Sequence, residues 1–62
     1  MRKKYYFRFK YLNQALGLNT PLLPIDKVQD YEKNVIPEYL KRCEYIELYI
    51  CGNNKPIKTY KL

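Results

Sequence analysis

The 62-residue sequence predicts one small α+β domain with the order strand, helix, strand, strand. Three observations predict this class. Residues 4 to 12 and 44 to 51 alternate side-chain character with the period of two that extended strands have. Residues 26 to 43 repeat apolar side chains every three or four positions, as one face of a helix does. Residues 52 to 55, Gly-Asn-Asn-Lys, are typical of a turn that returns a third strand.

The first strand has one aromatic side and one mostly basic side. Alternation places Tyr5, Phe7, Phe9 and Tyr11 together, and it places Lys4, Tyr6, Arg8 and Lys10 on the opposite side. The first set is expected to build the core, and the second set is expected to meet a partner.

Residues 13 to 24 are predicted to be a loop, because Gly17, Pro21 and Pro24 interrupt regular structure. Its leucines, at positions 16, 18, 22 and 23, either pack over the edge of the core or expose a patch for a partner. Packing over the core is the expected outcome.

A helix is predicted to start near Asp26, which has the spacing of a capping box with Gln29. The apolar stripe consists of Val28, Tyr31, Val35 and Tyr39, with Ile36, Leu40 and Cys43 beside it. Pro37 interrupts this stripe at a cost of roughly 3 kcal/mol if the helix continues through it. The helix is therefore expected to kink or break near Ile36, and it can equally be two short helices.

The second predicted strand turns Ile46, Leu48 and Ile50 to the core and Tyr45, Glu47 and Tyr49 away from it. Residues 56 to 62 form the third strand. Two registers are open: Ile50 opposite Ile57, or Glu47 opposite Lys58 with Glu44 opposite Lys61. A right-handed crossover through the helix predicts that the first two strands run parallel, with the third strand able to lie between them.

Composition excludes several kinds of catalytic site. The chain has no histidine and no serine, which excludes a Ser-His or Cys-His nucleophile pair and a four-ligand zinc site within one chain. Its two glycines are too far apart for a glycine-rich phosphate loop, and its acidic residues lack the spacing of a calcium loop. Neither catalysis nor a cofactor is expected. Cys43 and Cys51 would lie roughly 26 Å apart along an extended strand, too far for a disulfide. Two buried, reduced thiols are expected.

The net charge of +6 is concentrated at the two ends of the chain. Residues 1 to 10 and 51 to 62 together carry a net charge of +8, whereas residues 11 to 50 carry a net charge of −2. If both ends join one sheet, its side away from the helix, here called the open face, becomes basic and rich in tyrosine. The residues predicted there are Lys4, Tyr6, Arg8, Lys10, Tyr45, Glu47, Tyr49, Lys58 and Tyr60.

Such a face predicts a non-enzymatic binding module for nucleic acid or a nucleoprotein complex, since aromatic rings stack with bases and cations hold phosphates. An alternative is a protein-binding inhibitor or accessory subunit, for example of phage or mobile-element origin. A third interpretation is that the tyrosines only stabilise the sheet through cross-strand pairs. The protein is expected to be cytoplasmic without membrane contact, and an exposed third strand makes a homodimer possible.

Overall fold

A computed structural model describes residues 3–62 and shows a four-stranded antiparallel sheet with two helices on one of its faces. The α+β prediction is confirmed, but the expected three strands and single helix are too few. The strands are β1 (Tyr5–Tyr11), β2 (Leu18–Asn19), β3 (Cys43–Ile50) and β4 (Lys58–Tyr60), and the helices are α1 (Ile25–Asn34) and α2 (Ile36–Tyr39). Arg2, counted above with the basic N-terminal residues, lies outside the described residues.

The additional strand, β2, lies within the segment predicted to be a loop. It pairs with β1, and the segment after it continues along β1, because Thr20 donates its N–H to Phe7 O (2.9 Å) and Leu23 donates to Tyr5 O (2.7 Å). Leu23 packs against the core, whereas Leu16, Leu18 and Leu22 are exposed. The loop is thus part core and part exposed surface.

The strand order is β2-β1-β3-β4, and every neighbouring pair is antiparallel. The predicted parallel arrangement of the first and second long strands is therefore wrong. Residues 18–23 run back along β1, so that α1 begins beside the start of β1 at Tyr5. The helices then carry the chain to the end of β1 at Tyr11, which pairs with Cys43 at the start of β3. Because the connection covers the length of β1 twice, β3 must run antiparallel to β1.

The helical segment breaks at Val35, one residue before the expected position, and two short helices result. A three-residue 3-10 turn, Leu40–Arg42, leads from α2 into β3. Pro37 lies in the first turn of α2, where a missing N–H costs no hydrogen bond. The predicted capping box is wrong, because Pro24 occupies the N-cap and Asp26 lies inside the first turn without a side-chain capping bond.

The β3–β4 hairpin adopts neither of the two predicted registers. Ile46 lies opposite Tyr60, Glu47 opposite Thr59, and Leu48 opposite Lys58. The connection begins with a turn in which Asn53 donates its N–H to Ile50 O (3.0 Å). Gly52 supplies the positive φ of 96° in this turn, a conformation that other residues rarely adopt.

The core lies between the sheet and the helices, and its buried side chains come from β1, β3, α1 and α2. They are Phe7, Phe9, Val28, Ile36, Cys43, Ile46 and Leu48. Tyr31 of α1 stacks on Phe7 with ring centroids 5.3 Å apart, and Tyr39 of α2 meets Phe9 edge to face at 5.3 Å. The predicted core face of β1 is confirmed, and so is the burial of Val28 and Ile36 in the helical stripe, whereas Tyr39 is 37% exposed and Cys43 lies in β3.

Both cysteines are free, but only one of them is buried. Cys43 belongs to the core, whereas Cys51 is exposed just beyond β3. The prediction of two buried thiols is wrong for Cys51 because β3 ends one residue before it. Among residues 3–62, neither helix has the length and apolarity required to cross a membrane.

Candidate functional site

The structure keeps seven of the nine residues predicted for the open face on that face and moves two away. Tyr6, Arg8 and Lys10 of β1 pair across the sheet with Tyr49, Glu47 and Tyr45 of β3. Lys4 continues the alternation of β1 by one residue, and its carbonyl accepts from the Cys51 N–H (2.8 Å). Neither helix packs against this face, because the side chains that contact the helices alternate with these residues.

Lys58 and Tyr60 lie on the helix side of the sheet, so their predicted place on the open face is wrong. Residues opposite each other in an antiparallel pair share a face, and both are paired with core residues of β3. Lys58 Nζ lies 2.9 Å from Glu32 Oε2 of α1, and the Tyr60 hydroxyl donates to the same carboxylate. Thr59 takes their place on the open face.

Tyr6 and Tyr49 form the aromatic centre of the open face. Their rings stack with centroids 5.0 Å apart and an angle of 3° between the planes. The Tyr49 hydroxyl donates to Glu47 Oε1 (3.1 Å). Partial burial raises the Tyr49 pKa above its ordinary value, with a further contribution from this hydrogen bond. The Tyr49 hydroxyl therefore stays neutral at physiological pH, and the stacked pair presents an aromatic surface.

Lys4 and Arg8 flank Tyr6 along β1, and both side chains are exposed. Among residues 3–62, no carboxylate oxygen comes within 4.0 Å of the charged nitrogens of either side chain. The Arg8 side chain lies against Gly17, where a Cβ atom would come within 2.6 Å of Arg8 Nε. Gly17 thus provides the space in which Arg8 lies across the edge of the open face.

Lys10 is held by its own protein, unlike Lys4 and Arg8. Its Nζ donates to the carbonyl of Gln14 (2.5 Å) and lies 3.2 Å from Glu44 Oε2. A β-bulge brings Glu44 there, because Lys10 pairs with Tyr45 and Tyr11 pairs with Cys43, leaving Glu44 as the extra residue. The sequence shows no signal for this bulge, so Lys10 was predicted to be available to a partner.

The open face carries groups that can stack, form hydrogen bonds and attract anions. It offers the cations of Lys4 and Arg8, a stacked tyrosine pair and Tyr45, with the carboxylate of Glu47 at its centre. Asn19, opposite Arg8, and Thr59, opposite Glu47, add polar groups that the sequence analysis missed. Both were missed because their placement depends on strand pairing. A scan against protein-family models, a search of curated proteins and a search of solved structures each found no significant match to this chain.

Proposed function

We propose that this protein is a non-enzymatic, cytoplasmic binding module whose open face contacts single-stranded nucleic acid, either free or within a nucleoprotein complex. The observation that carries the proposal is the arrangement of Lys4 and Arg8 on either side of the Tyr6–Tyr49 stack, on the sheet face that points away from α1 and α2. The Cα atoms of Lys4 and Arg8 each lie about 6.6 Å from the Tyr6 Cα atom along the strand. The two free thiols of the protein are typical of a reducing compartment.

This arrangement supports contact with a single strand rather than a duplex. Unpaired bases expose ring faces that can stack on the outer side of a tyrosine pair, whereas bases in a duplex are already stacked on each other. Lys4 and Arg8 then neutralise phosphates on both sides of the stacked base. Stacking accepts any base, so binding with little sequence preference is expected.

The test is a fluorescence anisotropy titration with labelled single-stranded RNA, single-stranded DNA and duplex DNA at about 50 and 200 mM salt. We expect a preference for single strands that persists at the higher salt concentration. Arg8→Ala and Lys4→Ala should each reduce the slope of log K against log salt concentration by about 0.7, the value for one phosphate contact on a single strand. Tyr6→Leu should weaken binding by about 1 to 3 kcal/mol if one base stacks there.

Lys55→Ala is the matched control, because it removes the same charge from an exposed position in the connection before β4. Equal weakening by Lys55→Ala and Arg8→Ala would show only attraction to the net charge of +6. Binding that disappears at about 200 mM salt would lead to the same conclusion and contradict the proposal.

The second candidate function is binding of a protein target by the same face, as an inhibitor or accessory subunit would do. The observation that favours it is the reduced charge of the face, since Lys10 is paired with Glu44, Glu47 lies at the centre, and Lys58 lies on the other side. Tyrosine and arginine are common anchors in protein interfaces. In that case the protein should bind none of the three nucleic acids at the higher salt concentration.

A further inference from the structure

The outer edge of β2 is a strand edge with unused backbone hydrogen-bonding groups. Thr20 exchanges hydrogen bonds with Phe7, donating its N–H to the carbonyl and accepting the Phe7 N–H at Oγ1 (3.0 Å). Backbone groups in a strand point alternately to its two sides, so the N–H and C=O of Asn19 point away from β1. In the part of the chain that the structure describes, no further strand lies beyond this edge.

An apolar groove of about 340 Å³ lies beneath this edge, on the helix side of the sheet. The helices leave the groove open, and Leu18 at its rim stays 53% exposed. A groove of this size holds a few apolar side chains, and it adjoins the edge where backbone pairing is available. Its apolar lining comes from Phe9, Tyr11, Leu18, Tyr31, Val35 and Tyr39.

The other side of the same edge is cationic. Asn19 pairs with Arg8 on the open face, and the Arg8 side chain lies over Gly17 toward the edge. The surface near β2 is therefore apolar on the helix side and positively charged on the open face. A strand added to β2 would direct alternate side chains to these two sides.

We propose that β2 receives an extended segment of a partner protein that adds to the sheet as a further strand, with apolar and acidic side chains in alternation. The residue opposite Asn19 is acidic and meets Arg8, and its two neighbours, opposite Leu18 and Thr20, place apolar side chains in the groove. Strand addition of this kind derives affinity from main-chain hydrogen bonds and specificity from pockets for alternate side chains. It does not rest on the proposed nucleic-acid contact, although both contacts use Arg8.

The charges favour an acidic partner over a second copy of this chain. Two copies would each bring a net charge of +6, and within residues 3–62 no carboxylate oxygen lies within 4.0 Å of the charged nitrogens of Arg8. Pro21 has no N–H and limits the added strand to the vicinity of Asn19. A short and readily reversible contact follows from that limit.

The test is an NMR titration of the isotope-labelled full chain with a blocked peptide of about six residues, the usual length of a strand, that alternates valine and glutamate. We expect shifts of the backbone amide resonances of Leu18, Asn19 and Thr20. A peptide with lysine in place of glutamate should bind the wild-type protein at least about ten-fold more weakly than the glutamate peptide does. The glutamate peptide should bind the Arg8→Gln variant more weakly than wild type by the same factor. Equal binding of the two peptides, or no shifts at these amides, would overturn the proposal.

Asn19→Pro removes the outward N–H and should abolish binding, whereas the matched variant Asn19→Ala should retain it. Methylating the peptide nitrogen of the central glutamate removes a hydrogen bond from the same pairing without altering the protein. The test therefore remains valid if the Asn19→Pro variant folds poorly. Retained affinity for the methylated peptide would overturn the proposal. Sedimentation of the protein alone provides a further check, because a dimer that Asn19→Pro dissociates would assign the edge to a second copy instead.

Discussion

At the scale of single residues, Glu32 connects the C-terminal strand to the helix layer. Its carboxylate accepts from the Tyr60 hydroxyl and from Lys58 Nζ (2.9 Å). These two hydrogen bonds lower the Glu32 pKa below its ordinary value of 4.5, and the bond with Tyr60 has the larger effect. Burial, followed by the bond to Glu32, raises the pKa of Tyr60. One carboxylate on α1 thus binds two residues of β4.

Glu32→Gln is expected to lower the free energy of unfolding near neutral pH by about 1 kcal/mol. This is the contribution of a hydrogen bond to a charged group, reduced because the Glu32 carboxylate is partly exposed. Because the folded pKa is lowered, this stabilisation is present above about pH 4.5 and disappears as the pH falls through the folded value. Urea denaturation at several pH values measures the difference, which should shrink in acid.

The control for that prediction is Glu38→Gln. Glu38 lies 3.9 Å from Lys41, and both side chains are largely exposed, so its removal should change stability very little. A difference between wild type and Glu32→Gln that stays constant across the acid range would contradict the assigned role of the carboxylate.

At the scale of secondary structure elements, Pro37 separates two helices and costs neither of them a hydrogen bond. Its place in the first turn of α2 means that the residue without an N–H occurs where helical N–H groups have no partner. The break also allows Ile36 to be buried in the core while Tyr39 reaches Phe9. The proline therefore helps to define where α1 ends.

Pro37→Ala is expected to destabilise the fold by about 0.4 to 1 kcal/mol, because the unfolded chain gains freedom that the proline ring had removed. Chemical denaturation measures this change. An increase in stability would instead show that the proline strains the native helix. Lys41→Ala, on the exposed 3-10 turn beyond α2, serves as a comparison with little expected effect.

At the scale of the whole molecule, the two thiols report on different parts of the fold. Cys43 is buried in the core where β3 begins, and burial raises its pKa, which lowers its reactivity as a thiolate. Cys51 is exposed just beyond the other end of β3. A single strand thus separates a protected thiol from an accessible one.

A thiol reagent should therefore label Cys51 quickly and Cys43 only when the domain unfolds. For a core that supplies about 3 to 5 kcal/mol, Cys43 should react roughly 10² to 5 × 10³ times more slowly than in the denatured chain. Cys51→Ala isolates the slow reaction, which mass spectrometry can follow. Rapid labelling of Cys43 in this variant would contradict its place in the core.

Local patterns in the sequence determined much of this protein. Alternation in residues 4 to 12 and 44 to 51 identified β1 and β3 and the core side of each, with Phe7, Ile46 and Leu48 buried as expected. The apolar repeat identified the helical segment, and Pro37 predicted a kink or break within one residue of the point where α1 gives way to α2. These features follow from the period of side chains along a strand or helix and from the missing N–H of proline, which need no information on distant residues.

Tertiary structure alone decided β2, the direction of β3, the hairpin register and hence the composition of the open face. A two-residue strand between Gly17 and Pro21 has no periodic signal, and it exists because β1 offers an edge. The register placed Lys58 and Tyr60 beside Glu32 instead of Tyr49, because a shift of one residue moves every side chain of a strand to the other face. Local sequence cannot determine that shift, since it depends on how the turn at Gly52 and the contacts with α1 combine.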